Sequence, residues 1–318
     1  MNNKSGPPSL APKTFRFSDV DEFRSAVRNL NVDFTPLVRT ILAEQTILNL
    51  PGCSVNLIKS FPRITDGQLE PNCTAVGFTM DEGIPIRFNG VDEHESVIVI
   101  GSNGAAYTTV ERVGREYASI VFTPQVEDRG WPEAGPNFRM FETSPGAHGW
   151  LRAMVREILS VSHLPQDAEQ QQVEQHQVAS AVRESLLAGT DAAFTDVVPT
   201  RWAARANAVR QFKIFQDIRD ILAANIGQPI YSSDLAEQLG VSVRTIHDAV
   251  LRYSGMSLHR YLRLRRLWLV RQQLRTGTQS VKAVALALGF WHFGDFSQSY
   301  RTLFGESPSE TLARARGG

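Results

Sequence analysis

The sequence predicts an α+β chain. An N-terminal β-rich domain, read as a cupin-like barrel or a sandwich, is followed by a helical linker. A C-terminal all-α domain then carries two helix-turn-helix units. Three observations support this. Short apolar runs broken by Gly and Pro fill residues 14–150, helical spacing replaces them from about residue 151, and one local pattern occurs twice after Ser233.

Residues 1–13, with Gly6-Pro7-Pro8, read as a loose tail without a signal-peptide core. Asp19 to Leu30 reads as a short helix capped by Ser18, with Asp21 and Glu22 in its first turn. Cys53–Ile58, Val97–Ile100 and Ser119–Phe122 are strand-like, and Asn89-Gly90 is a hairpin signal. From Trp150, Leu151, Met154, Val155 and Ile158 recur at helical spacing until Pro165. Residues 166–188 are Gln-rich, with a sparse stripe at Val178, Val182 and Leu186 that suits a surface helix or a dimer seam. Thr190 to Pro199 reads as a loop, and a helix from Thr200 to Asn225 is stopped by Gly227 and Pro229. The expected parts are thus 1–13, 14–150, the linker 151–204, and 205–318.

The net charge of zero hides an asymmetry. Residues from 201 onward hold 17 Lys+Arg against 8 Asp+Glu, while residues 1–200 hold 16 against 25. A surplus of +9 beside a balance of −9 is the electrostatic footprint of a nucleic-acid-binding module joined to something else. No apolar run approaches the ~18 residues needed to span a bilayer, so no membrane role is expected. Two cysteines, Cys53 and Cys73, fit reduced thiols in a cytoplasmic protein. A redox switch is the alternative, but no basic run stands beside either thiol to activate it.

The repeated pattern is the most specific signal. Asp234-Leu235-Ala236 leads to Gly240-Val241-Ser242, and Val284-Ala285 leads to Gly289-Phe290. Each copy places a small alanine where two helices approach and a glycine four residues later, where the turn calls for positive φ. The copies lie 49 residues apart, glycine to glycine. Such a unit places a helix in the DNA major groove.

With Gly255-Met256-Ser257, Tyr261-Leu262-Arg263, Phe296-Ser297, Tyr300-Arg301 and Phe304-Gly305-Glu306-Ser307-Pro308, the stretch from Arg210 to Arg314 resembles the DNA-binding domain of AraC/XylS-type transcriptional regulators. The resemblance covers about a third of the chain. It implies promoter DNA as a partner, activation through contact with RNA polymerase, and an N-terminal sensory domain. That domain would take a small-molecule effector of unknown identity or pair protomers into a homodimer.

The first recognition helix is expected from a Ser242 cap to Tyr253, with Ile246, Ala249 and Val250 inward. Val243, Arg244, His247 and Asp248 then project outward. Arg244 suits guanine or phosphate, and Asp248 suits cytosine N4. Asp248 stands where the resembled family is commonly basic, and Val250 where it often has phenylalanine. In the second helix Phe296, Tyr300 and Leu303 face inward, which leaves Phe293, Gly294, Ser297, Gln298 and Arg301 for the groove. Gln298 suits adenine, and Arg301 suits phosphate. Phe293 reads equally as a thymine contact or as core. Between the units, Ser257 to Arg275 forms a long helix studded with Arg260, Arg263, Arg266 and Arg271. Arg263 is placed at DNA, with intra-domain salt bridges of Arg263 and Arg266 as the alternative. Ser307-Pro308-Ser309-Glu310 is a capping box.

Two rival readings remain: a cupin-like metal enzyme with a DNA-binding appendage, and an architectural DNA binder without ligand control. The first needs clustered ligands, and only His94 and His148 fall in residues 1–150. Glu93-His94-Glu95 reads as a solvated turn. No P-loop, dinucleotide fingerprint or Ser-His-Asp set occurs, so no cofactor and no catalytic residue are expected. The second leaves a 200-residue acidic part without a use.

Overall fold

The computed structural model describes residues 11–93, 96–132, 135–160, 171–195, 197–199, 206–225 and 230–317. Two antiparallel sheets form the N-terminal body. The larger runs in the order β1 (Lys13–Phe17), β3 (Ala43–Leu50), β4 (Cys53–Lys59), β11 (Glu116–Phe122), β6 (Thr74–Thr79), β9 (Val97–Ser102), β12 (Arg139–Glu142) and β13 (Val198–Pro199). The smaller runs β2 (Leu30–Pro36), β5 (Arg63–Leu69), β10 (Ala106–Glu111), β7 (Ile86–Phe88) and β8 (Val91–Glu93). The sheets do not close on each other, so the sandwich half of the expectation stands and the barrel half does not. The Asn89-Gly90 turn joins β7 to β8 with both residues at positive φ, as its sequence requires.

The outer face of the large sheet is covered by α2 (Pro145–Ser160) and α3 (Gln171–Phe194). Leu151, Val155, Leu186 and Leu187 pack there with Val55, Ile98 and Ile120. The expected linker stretch therefore holds helices seated on the sheet. The stripe expected at a surface or seam is divided: Leu186 is buried at 0%, Val182 packs at the edge of the core, and Val178 stays exposed. The expected loop at 190–199 is instead the end of α3 and strand β13, which pairs with β12. Near the start, Asp19 rather than Ser18 caps α1 (Val20–Ala26), accepting from the Asp21 and Glu22 amides.

The outer face of the small sheet is covered by the C-terminal domain. Its helices are α4 (Ala206–Ala224), α5 (Ser232–Leu239), α6 (Val243–Ser254), α7 (Leu258–Arg275), α8 (Val281–Ala287), α9 (Phe293–Phe304) and α10 (Pro308–Gly317). The start expected near Thr200 lies outside the described residues.

The middle of the small sheet is thus buried on both sides. Along β5, Arg63 and Thr65 face the interior of the sandwich, while Ile64 packs on the helical domain. Asp66, on the same side as Ile64, meets Arg265 at 3.4 Å and Arg219 at 3.6 Å. Arg265 also holds Asp33 at 2.6 Å, and the Trp268 indole N–H donates to the Pro36 carbonyl at 2.9 Å. Burial pushes the Asp66 carboxyl up, against the pull of Arg219 and Arg265.

Candidate nucleic-acid interface

The two helix-turn-helix units are built alike. Val241 N–H donates to Ala236 C=O at 3.0 Å, and Phe290 N–H donates to Ala285 C=O at 2.9 Å. Gly240 and Gly289 take φ of 63° and 78°, the left-handed turn that a side chain would strain. Ala236 and Ala285 are buried, because a larger residue would hold the helices apart.

In α6, Ser242 caps the helix by accepting from the Thr245 amide at 3.1 Å. Ile246, Ala249 and Val250 are buried against α4 and α5, as their spacing requires. Val243, Arg244, His247 and Asp248 are exposed on the other face. Arg244 is 90% exposed and lies 3.6 Å from Asp248. An open pair of this kind is weak, so Arg244 is free to change partner.

In α9, Phe296 and Tyr300 are buried and Leu303 partly so. Phe293, at 38% exposure, sits at the surface with Gly294, Gln298 and Arg301, while Ser297 is half-covered. Arg263 is already engaged: its guanidinium donates to the Asp295 carbonyl at 3.2 Å and to the Ser299 hydroxyl. It ties α7 to α9 within the domain, through hydrogen bonds rather than the salt bridge of the sequence alternative. The capping box forms, with the Glu310 amide donating to Ser307 Oγ at 3.2 Å.

The connecting helix α7 has 18 residues, roughly 27 Å at ~1.5 Å per residue. Successive major-groove faces lie about 34 Å apart. Between α7, the end of α6, α9 and the tips of the small sheet lies a cleft of about 910 Å³. Arg39, Arg112, Arg260 and Arg263 line it together with Asp295 and Gln298. Arg39 and Arg112 come from the N-terminal domain. Sequence reasoning missed them, because no local pattern connects them to helices far along the chain.

Residues 235–314 match the family described as "Helix-turn-helix domain". The chain is 33% identical over 105 residues to the XylDLEGF operon transcriptional activator 3 of Pseudomonas putida, covering 32% of each. It is 34% identical over 102 residues to activator 2 of that operon, covering 31% of this chain and 65% of that protein. The C-terminal third is an AraC/XylS-type DNA-binding domain. The first of these relatives is matched over about a third of its own length. A probable AraC family regulator of Rhodopseudomonas palustris is 35% identical to the chain, with a TM-score of 0.31, over 32% of this chain and 97% of that one. The family match begins inside α5 and ends inside α10, so it holds most of the first helix-turn-helix unit and all of the second.

Among the described residues no group of three or more His, Cys, Asp and Glu is placed to hold a metal ion, and no helix is long and apolar enough to cross a membrane. His94 and Glu95 lie outside the described residues. Cys53 and Cys73 are both buried and free, and burial pushes the Cys53 thiol up to about 12, which fits inert packing.

Proposed function

We propose that the chain is a transcription regulator that binds promoter DNA through α6 and α9 and is not an enzyme. One observation carries the reading: two helix-turn-helix units of the same geometry both leave their outward faces open in the basic third of the chain. Val243, Arg244, His247 and Asp248 form one reading face, and Phe293, Gly294, Ser297, Gln298 and Arg301 the other. Because Arg263 is held by α9, it acts by steadying that helix. Activation is taken from the relatives, whose names describe activators of an operon, and contact with RNA polymerase is the part that the family resemblance adds to the proposal. Such a protein works in the cytoplasm, where the chromosome is.

The N-terminal domain supplies the sensory part of the proposal. Between the two sheets lies a cavity of about 140 Å³, close to the ~150 Å³ of an engineered apolar cavity that takes up benzene. Phe34, Val76, Phe88, Val99 and Met140 give it an apolar wall, and Arg63 and Glu111 a polar end. This site is suited to a small, largely apolar effector. A homodimer remains part of the proposal through exposed surface near Val178, with light scattering of the full chain as its test.

Binding of the full chain to a duplex it selects from a random-sequence pool should weaken steeply as salt rises, because phosphate neutralisation releases counterions. Salt-independent binding, or recovery of no preferred duplex, would contradict the reading. Gln298→Ala should relax preference at one or two base positions at a cost of about 1–3 kcal/mol. Arg301→Ala should weaken all sequences about equally. Competition binding with single-base variants separates them, and a uniform loss in Gln298→Ala removes it from base reading.

A further inference from the structure

The N-terminal domain touches both recognition helices at the same place. Helix α6 ends at Gly255 and helix α9 at Gly305, each with φ of 69°. At the first end, Arg112 donates to the Gly255 carbonyl at 3.2 Å. Arg87 donates there to the Leu251 and Arg252 carbonyls, both at 3.3 Å. At the second end the guanidinium of Arg39 lies against Gly305 so closely that a Cβ there would collide with it. Helix C-termini carry partial negative charge and unpaired carbonyls, so arginine is the side chain suited to hold them.

We propose that the β-sandwich domain positions both recognition helices, with Arg39, Arg87 and Arg112 gripping their C-terminal ends. This rests on the DNA-binding reading above and goes beyond it. Val243 and Arg244 on α6 and Phe293 and Gly294 on α9 lie at the opposite ends, and Arg301, although it stands in the last turn of α9, and Gln298, at the cleft, stay exposed as well. The grip therefore orients the helices without covering what they present. It is also built firmly. Arg87 is fixed by two bonds to the Asp92 carboxylate, at 2.8 and 2.6 Å. The turn at Gly90 packs on Arg252 and Tyr253 of α6. Arg87 stands between Ile86 and Phe88, which line the sandwich cavity, and Arg112 follows Glu111, which also lines it. A shift of the cavity wall is thus one residue away from the helix ends. The three arginines are positioning residues that act through α6 and α9.

The experiment uses the full chain and the duplex it selects from a random-sequence pool. Arg39→Gln, Arg112→Gln and the triple variant with Arg87→Gln are compared with the unaltered chain at several salt concentrations. The triple variant should bind roughly tenfold more weakly, as three helix-end contacts of ordinary strength would give. Its salt slope should be unchanged, and its penalty for one base pair inserted between the two contacted grooves should shrink. Arg39→Lys with Arg112→Lys should restore most of the affinity. Arg39→Gln alone, at an exposed side chain, gives a reading even if the triple variant folds poorly. A slope lowered by about 1 per arginine would make them direct phosphate contacts and overturn the proposal. Unchanged or tighter binding, with the insertion penalty intact, would overturn it as well. If the unaltered chain selects no duplex, the DNA-binding reading itself fails, and that outcome is distinct from these.

Discussion

Glu111→Gln should destabilise the fold by about 3–5 kcal/mol, because it leaves a buried guanidinium without its carboxylate. Arg63 and Glu111 are 1% and 3% exposed, and their charged atoms are 3.3 Å apart. Arg63 also donates to Thr65 Oγ1 and Tyr117 Oη, both at 3.0 Å. Its guanidinium lies 4.7 Å from the Phe34 ring centre and 5.1 Å from that of Phe61. Burial works against the charge on Arg63, and Glu111 with the tyrosines outweighs it. The ring faces stabilise a cation but cannot neutralise it. A loss of this size is a large share of the ~5–15 kcal/mol that holds an ordinary domain together. Removing both charges, as Arg63→Met with Glu111→Leu, should cost less than Glu111→Gln alone, since an apolar pair of similar volume needs no compensation. Urea unfolding of the three proteins checks this. A Glu111→Gln loss below about 1 kcal/mol, or a double variant worse than the single, would show that the pair is not what keeps Arg63 in place.

That pair was invisible in the sequence, and the reason is physical. Arg63, Asp66 and Glu111 are charged residues in strands, and the ordinary expectation for each is solvent. The middle of the small sheet has no solvent face, because the sandwich interior lies on one side and α4, α6 and α7 on the other; its far end, at Asn31 and Gln68, is open. Its strands therefore carry no polar and apolar alternation to read. Strand pairing is equally silent: β2 meets β5 and β5 meets β10 across long stretches of intervening chain. The C-terminal domain was legible because its signals are local. Ser242 caps a helix three residues away, Ser307 and Glu310 bond each other, and Gly240 and Gly289 turn the chain between adjacent helices. The inward and outward faces of α6 and α9 follow from a 3.6-residue period, so Ile246, Phe296 and Tyr300 were placed by counting. Counting could not place Arg263, which faces outward from α7 but meets another helix of the same domain. Nor could it find Arg39, Arg87 or Arg112, whose partners are carbonyls far along the chain.

Stability should fall as the solution is taken from pH 7 to pH 4, and His148 should account for about 3 kcal/mol of the loss. His148 sits in the first turn of α2, 3% exposed, with its ring edge toward Phe78 and its Nε2 without a hydrogen-bond partner among the described residues. Burial holds its pKa down to about 4, and the neighbouring Arg152 adds to the effect while Glu82 opposes it. In the unfolded chain the same imidazole titrates near 6.5. Above pH 6.5 both states are neutral and the group costs nothing. Between 6.5 and 4 the unfolded chain binds a proton that the folded chain refuses, so the equilibrium shifts toward unfolding as pH falls. Below 4 both states are protonated and the loss is complete. The depressed histidine thus behaves oppositely to one that gains an acidic partner on folding. Carboxylates also titrate near the lower end of this range, so the measurement is a difference between two proteins. His148→Phe keeps a ring beside Phe78 and removes the titration. Its unfolding free energy, subtracted from that of the unaltered chain, should be constant above pH 7 and change steadily in the variant's favour down to pH 4. A difference that stays flat across that interval would mean that His148 takes up its proton inside the folded protein, with a polar partner or water reaching Nε2.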